Sequence, residues 1–319
     1  MAVLYLTEQG SVLKKTGKRV IVKKEGEKIA DIPIIKLDSL LIFGNIQVTT
    51  QALKLLFQNG IDLAFFTYYG KLSGMLQPIK SKNIVLRNKH FKKANNNNFG
   101  LKIAKKLVKS KIRNIKYMLN NHLKNYHSDK ISNVIKDLDK FFPKIDRKNK
   151  PKNLLGIEGV ASQRYYHIFN KLVRAPFKFH GRSRRPPKDE INSLLSFSYV
   201  ILTNELSLLL NACGLDPYLG FYHGIQYGRP SLALDLIEPY RPVLDRFVIN
   251  LLNLKTLSKD DFGNKKSKYY LNKEGRKKYF RAYHQFSEKY RDSYINQIES
   301  LKKSIKRESR FQPFLMKDL

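Results

Sequence analysis

Cysteine is almost missing from this 319-residue chain: Cys213 is its only one. A single thiol excludes an internal disulfide framework, a cysteine-rich zinc finger and a CxxC redox pair. Acidic residues are scarce too, with 26 Asp and Glu against 61 Lys and Arg and a net charge of +35. Such an excess repels itself in the compact state, and a polyanionic partner relieves that repulsion, which points to nucleic acid. Long apolar runs are lacking. The opening MAVLYLTEQG has no basic start followed by an apolar stretch, so no signal peptide is expected. The most apolar stretch, Leu194 to Leu215, is interrupted by Asn204, Glu205 and Asn211 and reads as a buried helix, not a membrane span. These absences predict a cytoplasmic location with no membrane partner. No internal repeat is evident. Hydrophobic residues still make up 42% of the chain, enough to build a core.

The positive charge is unevenly spread. Residues 1–78 carry 10 basic and 6 acidic side chains, whereas residues 79–150 carry 21 and 4. Codon bias would not by itself concentrate charge in the middle of the chain, so a nucleic-acid-facing surface is expected there.

The first 78 residues read as short β-prone runs, Val3–Leu6, Arg19–Lys23, Lys28–Pro33, Leu40–Phe43 and Ile61–Thr67, punctuated by glycines. Between them, Thr50 to Asn59 has a helical pattern that Gly60 stops. Gln77-Pro78 and the polar run to the Asn95–Asn98 tract read as a linker. Beyond it Leu101, Ala104, Leu107 and Val108 recur at helical spacing with lysines between them. From Leu154 onward only helices are expected, ending in a basic amphipathic tail from Ser287 to Arg310. The predicted fold is α+β with two domains. A small β-rich domain with one helix (1–78), suited to dimerisation or docking, is followed by a linker (79–98) and a larger all-α domain (99–319).

Four segments of the helical part stand apart from core patterning. Glu158 sits between Gly156 and Gly159, where small residues permit close approach, and shares a helical face with Ser162 and Tyr165. An acidic residue complementing a helix dipole is the plainer reading of Glu158. His223 is delivered by the turn-rich run Gly214–Gly224. Asp235 and Glu238 are three apart on one helix face, where like charges repel unless a cation relieves them or Arg241 or Arg246 pairs with them. Arg182, Arg184 and Arg185 precede Pro186-Pro187 and a helix that Asp189 can cap, and forked guanidinium groups suit phosphate. Carboxylates with one imidazole make an oxygen-dominated donor set that suits Mg²⁺ or Mn²⁺.

In order and spacing, these segments resemble the CRISPR-associated spacer-acquisition integrase family. The resemblance is carried by GIEG at Gly156–Gly159, RSRRPPKDEINSLLSFSY at Arg182–Tyr199, GLDPYLGFYHG at Gly214–Gly224 and RPSLALDLIEPYRP at Arg229–Pro242. It implies a β-rich N-terminal domain that forms homodimers and an all-α catalytic domain. It also implies a complex with a second, smaller adaptation protein. Glu158, His223 and Glu238 fall on the family's three metal-ligand positions, and Asp235 on a supporting acidic position. Some members carry Asp where this chain has Glu238. The implied chemistry is metal-dependent transesterification, in which the 3′-hydroxyl of a short DNA fragment attacks a phosphodiester at the border of a repeat array. Water as the nucleophile gives endonuclease activity instead. Arg182, Arg184 and Arg185 are candidate DNA-backbone contacts. Two other readings stay open on composition: a non-catalytic nucleic-acid-binding scaffold and an RNA-directed nuclease.

Overall fold

The computed structural model describes residues 2–68, 72–76, 78, 84–174, 176–265 and 268–316. The chain divides into two compact units, residues 1–82 with 280–288, and residues 83–279 with 289–319.

The first unit is built from β1 (Ala2–Leu6), β2 (Val12–Thr16), β3 (Arg19–Lys24), β4 (Glu27–Pro33), β5 (Leu37–Phe43), β6 (Gln47–Val48), α1 (Thr50–Gln58), β7 (Asp62–Phe66) and β8 (Leu72–Leu76). One sheet has the order β1-β5-β7-β8, parallel except for the antiparallel β7–β8 pair. The other has the order β4-β3-β2-β6. Leu13, Val20, Val22, Leu40, Ile42, Leu56 and Leu63 share one buried cluster, so both sheets and α1 bury their apolar faces together. The Thr49 hydroxyl, one residue before the expected helix start, accepts from the Ala52 N–H and caps α1. β2 escaped the sequence reading because its VLKKT buries a single side chain, Leu13, and exposes the polar remainder.

The second unit is mostly helical, as expected. It contains α2 (Ile84–Ala94), α3 (Asn97–Leu123), α4 (Asp129–Asp139), α5 (Phe141–Asp146), α6 (Lys152–His167), α7 (Glu190–Ala212), α8 (Ser231–Ile237) and α9 (Arg241–Asn253). α10 (Lys273–Lys306) runs through both groups of residues. An antiparallel hairpin was not foreseen. β9 (Phe262–Lys265) and β10 (Lys268–Leu271) pair across a stretch whose many lysines hide its short β-prone core of Phe262, Tyr269 and Tyr270. The expected linker also differs. Residues 79–83 and Gln77 lie outside the described residues, and 84–94 form α2, which buries Leu86 and His90. α7 is capped by Asp189, whose carboxylate accepts the Asn192 N–H at 2.6 Å. It is long and apolar enough to cross a membrane, but most of it is buried within the protein, as a core helix is.

Candidate active site

α3 forms a helix because Ala104, Leu107, Val108, Ile112, Ile115 and Met118 recur at helical spacing and are buried, and Asn96 caps its start. Lys111 falls on that buried side. Two carboxylates meet its ammonium there. Glu158 Oε1, from α6, contacts Lys111 Nζ, and Glu238 Oε2 lies 2.8 Å from it. The Lys111 side chain is 9% exposed and that of Glu238 5%.

Glu158 lies well inside α6, six residues past its first residue, so complementing the helix N-terminus does not explain it. Ser162, one turn on, donates its hydroxyl to Glu158 Oε1 at 2.8 Å. An added Cβ at Gly156 or Gly159 would meet nothing within 4 Å, so the glycines leave this flank of α6 open. Tyr165 turns into the core and is fully buried, whereas Tyr166 lines the site.

Glu238 follows the last residue of α8 and opens a short 3-10 turn, Glu238–Tyr240. The turn and the end of α8 that leads into it are each pinned by a side-chain amide. The Asn114 amide donates to the Pro239 carbonyl at 2.8 Å, and the Gln297 amide donates to the Leu236 carbonyl at 2.9 Å. The other Glu238 oxygen accepts from Arg241 Nε at 2.7 Å, and the Arg241 guanidinium lies 4.5 Å over the Tyr199 ring. Burial disfavours the charged form of Glu238, but the positive charges of Arg241 and Lys111 outweigh it and hold the carboxyl well below the usual carboxylate range. Burial likewise works against charged Lys111, yet Glu238 and Glu158 push its ammonium up to about 12.

His223 is fixed by Asp235. The Phe221 and Tyr222 N–H groups donate to Asp235 Oδ2 at 2.6 and 2.9 Å. The His223 N–H donates to Oδ1 at 2.8 Å, and His223 Nδ1 lies 2.7 Å from the same oxygen. A carboxylate only accepts, so Nδ1 carries the proton and Nε2 keeps its lone pair for a ligand or a proton. Gly220 makes this approach possible, since a Cβ there would stand 2.9 Å from both Asp235 Oδ2 and Ser231. The same loop is gripped by His90, whose Nε2 is 3.0 Å from the Leu219 carbonyl oxygen, and by Phe99, whose ring packs edge-on against Phe221.

A cavity of about 700 Å³ opens at Lys111, Glu158 and Arg241 and is lined also by Gly159, Tyr166 and Arg184, while Glu238 and His223 are not part of its lining. Behind it the Tyr166 and Tyr199 hydroxyls are 3.0 Å apart, and Tyr199 donates to the buried Asp245. Arg182 also lines the cavity but is partly buried and tied to the Ser183 carbonyl, Asn192 and Ser196. Its role in shaping the loop is therefore structural as well. Arg185 is exposed and does not line the cavity.

Glu158 and Glu238 thus meet at one cation, and His223 is held by Asp235, three residues before Glu238. Among the described residues no three of His, Cys, Asp and Glu are grouped closely enough to chelate one ion. The charge at the convergence of the two carboxylates is Lys111. The donor chemistry, two carboxylates and an imidazole with a free Nε2, fits a hard divalent cation. Lys111, Tyr166 and His90 were missed by the sequence reading, which had named Arg241 as a partner for this acidic pair; it pairs with Glu238. Lys111 was detectable as a charge on the apolar stripe of α3.

The model of the family described as CRISPR associated protein Cas1 matches residues 4–285. A CRISPR-associated endonuclease Cas1 of Thermodesulfovibrio yellowstonii is 33% identical over 310 residues, covering 96% of this chain and 97% of the relative. The structure of a CAS1 protein from Thermotoga maritima is 27% identical, with a TM-score of 0.86 over 98% of this chain and all of that one. A chain in a Cas6-RT-Cas1–Cas2 complex is 25% identical, with a TM-score of 0.84 over 98% of this chain and 36% of that chain. With a family match over most of its length and a relative this similar end to end, the chain belongs to the CRISPR-associated Cas1 family.

Proposed function

We propose that this protein is a divalent-metal-dependent DNA endonuclease and integrase of CRISPR adaptation. The observation that carries the reading is the meeting of Glu158 and Glu238 at one buried cation, with His223 held by Asp235, three residues before Glu238. Glu158, Glu238 and His223 would hold Mg²⁺ or Mn²⁺, with His223 ligating through Nε2. When bound, the ion supplies polarisation of a phosphoryl oxygen and stabilisation of the charge on the leaving oxygen.

The chain's own residues do the rest. Asp235 keeps the His223 proton on Nδ1 and the ring in one orientation. Arg241 balances Glu238 and is braced by the Tyr199 ring. Arg184, on the cavity wall, suits a phosphate oxygen of the incoming strand, and Arg185 extends the same basic track outward. Arg182 fixes the loop that presents both. The 3′-hydroxyl of a short DNA fragment as nucleophile would join that fragment to a repeat array, and water would cut the strand. The net charge of +35 favours a polyanion as substrate and makes association depend on salt. Family membership favours an enzyme over a scaffold, since relatives are named endonucleases.

The partners proposed are DNA, a second copy joined through the β-rich residues 1–78, and Cas2, as in the complex named above, in the cytoplasm. Purified protein should cut and join DNA with Mn²⁺ or Mg²⁺, stop with EDTA, and lose activity in Glu158→Gln, Glu238→Gln and His223→Ala. Turnover that survives EDTA, or that survives loss of both glutamates, overturns the proposal.

A further inference from the structure

Lys111 is unlike the other lysines of this strongly basic chain. It is buried, it rises from the apolar side of α3, and its ammonium bridges carboxylates from two separate elements, α6 and the 3-10 turn after α8. Arg241 already balances the second oxygen of Glu238. With Lys111 in place, two carboxylates face two fixed cations, and the pair is neutral without any ion from solution.

We propose that Lys111 is a resident counter-cation that holds Glu158 and Glu238 together until a divalent ion displaces it. The inference rests on the metal reading given above. A dication that binds both carboxylates needs the oxygens that Lys111 now occupies, and an ammonium beside it would be a like charge at contact distance in a buried setting. Of the two cations, Arg241 is the one that stays. It has a planar fork, uses its Nε on Glu238, and lies against Tyr199. Lys111 is a point charge on a flexible stem, and it already lines the cavity into which it would swing. Two consequences follow. The metal-free site keeps its carboxylates paired instead of splaying apart by repulsion. The ion, on entering, releases an ammonium toward the space where a phosphate would lie. Lys111 is therefore a positioning residue that sets metal affinity.

The test compares full-length wild type with Lys111→Met, a neutral side chain of similar length. Mn²⁺ binding is followed by the loss of the free-ion electron paramagnetic resonance signal, and melting is measured without metal. The expected result is at least about tenfold tighter Mn²⁺ binding in the variant, together with a lower melting temperature in the absence of metal. On wild type alone, Lys111 should resist acylation by an amine-reactive ester without metal and be acylated once Mn²⁺ saturates the site, as read by peptide mass spectrometry. That second measurement decides the matter if the variant does not fold. Equal or weaker Mn²⁺ binding in Lys111→Met, or acylation of Lys111 that Mn²⁺ leaves unchanged, overturns the inference while leaving the metal reading intact. Absence of Mn²⁺ binding in both proteins overturns the metal reading and the inference with it.

Discussion

Replacing Asp235 by Asn should cost the protein much of its stability as well as its activity. The side chain is 0% exposed, and four N–H groups converge on its two oxygens at 2.6 to 2.9 Å. An amide offers one oxygen and one NH₂ group, so two of those donors would lose their acceptor and face another donor. A hydrogen bond to a charged group contributes about 1.5–3 kcal/mol, which puts the loss at about 3–6 kcal/mol. For a unit of this size a loss of 1 kcal/mol lowers the melting temperature by about 2–4 °C, so a drop of roughly 6–24 °C is expected. Urea unfolding followed by circular dichroism measures the first quantity and a thermal melt the second. Nitrogen NMR of the imidazole adds a local readout, because His223 should no longer keep its proton on Nδ1. A loss below about 1 kcal/mol with metal-dependent cleavage retained would refute the account of Asp235 as the anchor of the histidine loop.

Gly220→Ala should destabilise by about 1–3 kcal/mol through overpacking, since the new methyl group would meet Asp235 Oδ2 and Ser231 at 2.9 Å; unchanged urea unfolding would contradict this. Asp245 governs a pH effect. Burial pushes its carboxyl up to about 6 from the ordinary 3.8, against the hydrogen bond from Tyr199. The folded state then holds a proton that the unfolded chain has released, so this group's contribution to stability falls as pH rises from about 4 to about 6. Asp245→Asn should flatten that part of the stability profile, and an identical slope in the variant would exclude the assignment. DNA affinity should fall steeply with salt. Arg184→Ala and Arg185→Ala should each reduce the slope of log K against log salt by about 1, and a slope that does not change would remove that arginine from the DNA track.

The sequence alone determined the broad architecture, because that rests on local patterns. Alternating β-prone runs punctuated by glycines gave most strands of the first unit, and 3.6-residue periodicity gave the helices of the second. The cap at Asp189 was visible because N-capping is a short-range rule. Glu158, His223, Asp235 and Glu238 stood out because acids and an imidazole beside glycines and prolines break core patterning. The hairpin at Phe262–Leu271 and the strand β2 were hidden, since few of their side chains are buried and lysines dominate the rest. Only the tertiary structure decided how the functional groups relate. It separated the role of Asp235, which binds three backbone N–H groups and the His223 ring, from that of Glu238, which faces Lys111 and Arg241. It also brought Lys111 to Glu158 and Glu238, 47 and 127 residues away along the chain. No local pattern encodes such a meeting. It arises when helices distant in sequence pack their apolar faces together and leave their few buried charges to find one another.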